Sequence, residues 1–114
     1  MFMIDVFDKD LHQTLKAIIE GLKENKFEVV NEYDLTKPFE QSGRSSKIKC
    51  SVIEFIIKIS DKEIPILISV VKDKNRVLVT IPNLRKNLER IVSDKDELAI
   101  LETQLKNVVS SSLS

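Results

Sequence analysis

The chain has a single cysteine, few aromatic residues and no excess of either charge. The single cysteine, Cys50, cannot form a disulfide within the chain. Five phenylalanines, one tyrosine and no tryptophan offer little material for stacking on nucleic-acid bases. Eighteen basic residues balance eighteen acidic ones, so no general attraction to polyanions is expected. A nucleic-acid role therefore needs a local basic patch.

Long apolar runs are also absent. The longest, at 64–71, is far shorter than the about 20 residues that span a bilayer. The N-terminal segment MFMIDVFDKD lacks the basic lead and long apolar stretch of a signal peptide. We therefore predict a cytoplasmic protein without a membrane span, folded as one domain over 1–114. Abundant Lys, Ile, Val and Glu with little Gln are compatible with a thermophilic source.

The first part of the chain predicts a strand, a helix, a second strand and a loop. The segment FMIDVF (2–7) alternates like a short strand, and apolar residues at three-and-four spacing predict a helix that ends near Asn25. In residues 26–35 apolar and polar residues then alternate, as in a strand with one solvent-exposed face. Residues 34–46, DLTKPFEQSGRSS, predict a long loop. The apolar side of the second strand is predicted to hold Phe27, Val29, Tyr33 and Leu35.

The middle of the chain predicts three antiparallel strands. Between residues 47 and 60 the apolar alternation changes phase, which predicts a β-bulge near Val52. The segments SDKE (60–63) and KDKN (72–75) predict turns, with Asn75 in the left-handed conformation.

Two helical stripes follow the sheet. Pro82 ends the last strand, and Asn83 is a candidate helix cap. Asp94 begins a capping-box-like signature for the second stripe. The pattern leaves open whether these are two helices or one helix kinked at Ser93. The tail SSSLS (110–114) has low helix propensity and is predicted to fray.

Together these elements predict an α+β fold. A four- or five-stranded, mainly antiparallel sheet carries the N-terminal helix and one or two C-terminal helices. The hairpin EIPILISVVKDKNRVLVTIPN is apolar on both faces. If its even-numbered residues from 64 to 70 face the helices, an apolar set lies on the far face, covered either within the chain or by association. That far-face set is Leu67, Val71, Leu78 and Ile56.

Two functional hypotheses follow from these patterns. The first is a non-enzymatic module that forms a homodimer or docks a protein partner through the apolar sheet face of residues 48–82. The alternative is a small anion- or nucleic-acid-binding protein that uses Arg44 and the basic residues at 72–76 and 85–90. Its candidate anion-binding residues are Ser42, Gly43, Arg44, Ser45, Lys74, Arg76 and Arg85.

Catalytic chemistry has little support in the sequence. His12 is the only histidine, so a metal site would lack a second imidazole ligand. Cys50 falls in the apolar alternation of its strand, where a thiol behaves as a small hydrophobe. A dyad of these two residues would have to join distant segments. We predict no catalytic residues, no metal and no cofactor, and an enzyme stays a third hypothesis.

The order strand, helix, NKFEVVNEYDL (25–35), antiparallel sheet and IPNLRKNLERIVSDKDELAILETQLKNVV (81–109) resembles a family of small prokaryotic domains of unknown function. The likeness covers both ends of the chain, and it implies a fold without an activity. The predicted architecture is also similar to secretion-chaperone-like folds, which place helices on one side of a twisted antiparallel sheet and dimerise.

Overall fold

The structure is a computed structural model that describes residues 2–7, 10–36 and 48–114. Within these residues a strand and a helix are followed by four strands and two helices. The strands are β1 (Phe2–Phe7), β2 (Glu28–Asp34), β3 (Ile48–Ile59), β4 (Lys62–Asp73) and β5 (Arg76–Ile81). The helices are α1 (Leu11–Glu24), α2 (Leu84–Leu88) and α3 (Lys95–Ser112).

The five strands form one sheet in the order β1-β5-β4-β3-β2, with each neighbouring pair antiparallel. This arrangement confirms the predicted α+β fold. The central strand β4 contains Pro65, which cannot donate to a ladder. β5 pairs only with residues 69–73 of β4, so Pro65 lies where β4 extends past β5. At Pro65, β4 therefore has a strand partner on one side only among the described residues, an edge-like position of the kind where proline occurs in sheets.

The core lies between one face of the sheet and the helices. Buried residues alternate along β3, β4 and β5, as expected of strands with one face in the core. The even-numbered residues 64–70 are on this core side, which is one of the two arrangements that the hairpin left open. α1 adds Leu15, Ile18 and Leu22, and Phe27 meets Phe55 edge to face with ring centroids 5.6 Å apart. The sheet residues of the core include Ile53, Phe55, Ile57, Ile64, Ile66, Ile68, Val70, Val77, Val79 and Ile81.

The bulge is in β2, and the prediction of a bulge near Val52 in β3 is wrong. β3 pairs with β4 without a break, from Ile48 opposite Asp73 to Ile59 opposite Lys62. The apparent change of phase arises because the first half of β3 is apolar on the face that points away from the helices.

In β2 the register shifts between Val29 and Asn31. One extra residue in a strand reverses the side-chain direction beyond it. Val29 therefore pairs with Phe55 on the core side, whereas Tyr33 pairs with Val52 on the opposite face. The prediction that Val29 and Tyr33 share a face is wrong for this reason.

Both hairpins have short turns. β3 and β4 are joined through Ser60 and Asp61, and β4 and β5 through Lys74 and Asn75. The left-handed conformation falls on Ser60, with φ 57°, and on Lys74, with φ 58°. The predicted left-handed residue, Asn75, is therefore corrected to Lys74.

The C-terminal segment forms two separate helices. α2 ends at Leu88 and α3 begins at Lys95, so the segment around Ser93 separates them. The Asp94 carboxylate accepts hydrogen bonds from the N–H groups of Asp96 at 2.8 Å and Glu97 at 3.3 Å, which confirms the predicted cap. Asn83 precedes α2 but has φ 57° and makes no side-chain cap hydrogen bond.

The tail continues α3 where the sequence predicted fraying. The helix extends to Ser112, whose hydroxyl donates to the carbonyl of Val108 at 2.7 Å, and Leu113 is buried.

Most of the predicted loop at 34–46 lies outside the described residues. Neither α1, α2 nor α3 is long and apolar enough to cross a membrane.

Candidate functional site

One face of the sheet lies opposite the helices, and we call it the open face. It is built by the residues of β3, β4 and β5 that alternate with the core residues. The edge strands add Met3 and Asp5 from β1 and Glu28, Asn31 and Tyr33 from β2. Among the described residues, the hydrophobic core and the side chains packed on it do not include Leu67, Val71 or Leu78. The open face is therefore apolar surface outside the core.

The strand register brings the four predicted face residues together. Pro65 lies opposite Ile56, and Leu67 lies opposite Glu54. Val71 lies between Cys50 on β3 and Leu78 on β5. Ile56, Leu67, Val71 and Leu78 therefore share one face, as the alternation predicted.

Exposure differs across this surface. Leu67 is 43% exposed, and Met3 is 52% exposed. Ile56, Val71 and Leu78 are half-buried by their neighbours. Cys50 is on this face but is only 3% exposed.

Sequence reasoning missed Met3 and Tyr33 as members of this face. Tyr33 was assigned to the core side because the bulge at Val30 was not recognised. Met3 lies opposite Thr80, and the alternation within FMIDVF was the signal that could have placed it.

Glu54 is a charged residue in the centre of the open face, opposite Leu67. Its Oε1 accepts hydrogen bonds from Tyr33 Oη at 2.9 Å and from Asn31 Nδ2 at 3.3 Å. The hydrogen bond to Glu54 raises the pKa of Tyr33, and the negative charge of Glu54 adds to the effect. These contacts tie β2 to β3 across the open face.

Charge is concentrated at the two ends of the face. At one end, Lys58 Nζ lies 3.3 Å from Glu28 Oε2 and 4.0 Å from Glu63 Oε2. At the other end, Arg76 is hydrogen-bonded to Asp5. The rows between these ends are mostly apolar or carry small hydroxyl groups.

The predicted anion-binding residues are not brought into one patch. Ser42, Gly43, Arg44 and Ser45 lie outside the described residues. Lys74 and Arg76 are at the β4–β5 turn, whereas Arg85 follows the far end of β5. Because β5 has six residues, about 17 Å of strand separates these two groups.

His12 and Cys50 lie on different sides of the sheet. His12 is exposed on α1, whereas Cys50 points to the open face beside Ser69. Burial raises the pKa of the Cys50 thiol, a hydrogen bond with Ser69 lowers it, and the charge of Asp34 raises it. These two residues therefore do not form a nucleophile–base pair. No cluster of three His, Cys, Asp or Glu side chains in the described ranges could hold a metal ion.

The same architecture occurs in a crystal structure of an uncharacterized conserved protein, DUF302, from Bacillus stearothermophilus. The two structures match with a TM-score of 0.64 over 99% of this chain and 96% of that chain. The chain has a DUF302-like fold. Sequence identity is 14%, so the likeness concerns fold alone. It confirms, at that level, the resemblance to a small uncharacterised domain.

Comparison of the sequence with protein-family models and with curated proteins found no relative. No family model matches the sequence, and no curated protein matches it.

Proposed function

We propose that the protein is a non-enzymatic module that forms a homodimer, with the open faces of two copies packed on each other. The observation that carries this proposal is the position of Leu67, which is 43% exposed in the middle of the central strand. Its apolar neighbours on the same face extend over β3, β4 and β5. Glu54, Ser69 and Thr80 interrupt these apolar residues. An exposed apolar patch bordered by polar residues typically marks a binding site.

The size of the face supports a second copy as the partner. With strands about 4.8 Å apart and a rise of about 3.3 Å per residue, the sheet has a projected area of about 700 Å². A stable interface of standard size buries about 800 Å² on each partner. Two sheets can pack face to face about 10 Å apart with their strands nearly aligned, as in a β-sandwich.

The distribution of charge also favours a copy of the same chain. The hairpin tip at 72–76, with the Asp5 that pairs with Arg76, has three basic and two acidic residues. The opposite end, at 58–63 with Glu28, has two basic and three acidic residues. A twofold axis across the strands places each tip over the opposite end of the partner. Oppositely charged ends then meet on both sides of the apolar centre.

The solution mass tests this proposal. Light scattering with refractive-index detection, over a range of concentrations, should give about 26 kDa, twice the 13.1 kDa of one chain. A mass of one chain at all concentrations would contradict the homodimer. Refractive-index detection is preferable because the chain has one tyrosine and no tryptophan.

A matched pair of variants locates the interface. Leu67→Lys places a charge in the centre of the open face, opposite Glu54, and should produce a monomer without loss of folding. Ile100→Lys makes the same kind of change on α3, where Ile100 is 59% exposed, and should leave the dimer intact. Dissociation by Ile100→Lys alone would place the interface on the helices.

Two other outcomes would favour a different function. A monomer that binds an unrelated protein only when Leu67 is intact would make the open face a site for a different partner. Binding to DNA or RNA that weakens steeply as salt is raised would support the anion-binding alternative.

A further inference from the structure

A cavity on the helix side of the molecule is separate from the open face. It has a volume of about 590 Å³ and lies where β1 begins, β5 ends and α2 packs near α3. Its lining includes Phe2, Pro82, Arg85, Lys86, Glu102 and Lys106. Small-molecule sites typically have volumes of about 300 to 1,000 Å³.

The side chains around this cavity carry an excess of positive charge. Arg85, Lys86 and Lys106 supply three cations, and Glu102 supplies one carboxylate, which leaves a net charge of +2. Glu102 is the least exposed of the ion-paired side chains described, at 18%. A single carboxylate cannot balance the three cations around it.

The ion pairs of the cavity are long. Lys106 Nζ lies 3.4 Å from Glu102 Oε1, and Arg85 Nη1 lies 4.0 Å from the same oxygen. Outside the cavity, Glu89 lies 3.7 Å from Arg85 Nε. Tight charge-assisted hydrogen bonds measure about 2.7 to 2.9 Å. Lys86 forms no ion pair with another residue in the described ranges, so donors remain for a ligand.

The cavity also offers an apolar surface. Phe2 and Pro82 contribute ring carbons, and Lys106 Nζ lies 5.9 Å from the centroid of the Phe2 ring. A ligand that suits both parts has a charged head for the cations and an apolar body for the rings.

We infer that this cavity binds a small phosphate monoester with an apolar substituent. A phosphate monoester carries a charge of about −1.5 to −2 at neutral pH, which matches the net +2 of the lining. Arg85 binds two phosphate oxygens through its planar fork, and Lys86 and Lys106 add point charges. The substituent lies against Phe2 and Pro82.

A nuclear magnetic resonance titration tests this inference. Phenyl phosphate added to the ¹⁵N-labelled chain should cause saturable shifts of amide signals at 83–86 and near Glu102 and Lys106. Inorganic phosphate lacks the apolar body, and benzyl alcohol lacks the charge. Each should bind at least about tenfold more weakly than phenyl phosphate.

The Glu102→Gln variant should change the affinity for phenyl phosphate in a direction that a purely structural role of Glu102 would not produce. Glu102→Gln removes the carboxylate that competes for the cations while it keeps the shape, so phenyl phosphate should bind at least about threefold more tightly. Glu97→Gln, on the same helix but outside the cavity, is the matched control and should leave affinity unchanged. Arg85→Gln should weaken binding by about tenfold.

Specific results would overturn the inference. These are shifts that do not saturate, equal binding of benzyl alcohol, or equal effects of Glu102→Gln and Glu97→Gln. Leu67→Lys should bind phenyl phosphate normally, because Leu67 lies on the open face. The proposal of a phosphate ester in the cavity and the proposal of a homodimer can therefore be contradicted independently of each other.

Discussion

Asp5 and Arg76 join β1 to β5 through two parallel hydrogen bonds. Arg76 Nε donates to Asp5 Oδ1 at 2.6 Å, and Arg76 Nη2 donates to Asp5 Oδ2 at 3.1 Å. The hydrogen bond to Asp5 and its negative charge raise the pKa of Arg76. β1 is an edge strand with β5 as its one strand partner in the sheet, so this pair holds the edge in place.

Asp5→Asn should loosen β1 locally. Amide hydrogen exchange in β1 should accelerate by about threefold, while exchange in β4 stays unchanged, because an exposed ion pair contributes little to global stability. The effect should shrink between about 0.1 M and 1 M salt, as the Debye length falls from about 10 Å to about 3 Å. Glu28→Gln, which weakens an exposed pair on the opposite edge, is the control. Equal acceleration in both variants would contradict this role.

Gly21 on α1 lies directly against Ser112 on α3. A Cβ atom at position 21 would overlap the Ser112 hydroxyl and lie 3.1 Å from Ser112 Cβ. Gly21→Ala gains about 1 kcal/mol of helix propensity, but overpacking typically costs about 1 to 3 kcal/mol. We expect a net loss of about 1 kcal/mol in the free energy of unfolding, measured by urea denaturation.

The Ser112→Gly background should reverse the sign of this effect. Without the hydroxyl and the Cβ of Ser112, Gly21→Ala should stabilise the protein by about 1 kcal/mol, the gain in helix propensity alone. A double-mutant cycle gives the coupling between the two positions. Destabilisation of the same size in both backgrounds would show that Ser112 is not the obstacle.

Tyr33 is the only tyrosine, so its titration can be followed directly by ultraviolet absorbance. Its pKa in the folded state should lie above the ordinary value of about 10, because neutral Tyr33 donates to Glu54. The stability from this hydrogen bond is fully present below pH about 10 and is lost as pH rises through the folded-state pKa. Glu54→Gln should lower the pKa towards its ordinary value. The same pKa in both proteins would contradict the assignment.

Cys50 should react slowly with thiol reagents. It is 3% exposed, and burial raises the pKa of its thiol, so little reactive thiolate is available at neutral pH. In a disulfide-exchange assay, we expect labelling at least about a hundredfold slower in the native protein than in urea. The native rate should rise as pH is increased. Equal rates in native and unfolded protein would show that Cys50 is accessible.

The regular elements were predictable because local patterns determine them. The three-and-four spacing of Leu15, Ile18 and Leu22 fixes the buried stripe of α1. The Asp94 cap follows from a side chain that hydrogen-bonds within its own segment. Alternation along β4 placed Leu67 and Val71 on one face, which is why the main residues of the candidate interaction site could be named.

Features that depend on the partner strand were not predictable. Val29 and Val30 are adjacent and both apolar, so the sequence does not reveal which one is the extra residue of the bulge. In β3, Cys50, Val52 and Ile56 are apolar on a face that the described helices do not cover, and this produced a false phase change. The cavity lined by Phe2, Arg85 and Lys106 joins the start of β1, the end of β5 and two helices, so no local pattern indicates it.

The placement of β1 has a consequence for how the chain acquires its fold during synthesis. β1 is the first of the five strands to be made, yet it pairs with β5, and Asp5 is separated from Arg76 by 71 positions. Until β5 emerges from the ribosome, Phe2, Ile4 and Val6 have no strand with which to pair. Closing so long a loop is entropically costly, which makes the docking of β1 a late step in folding.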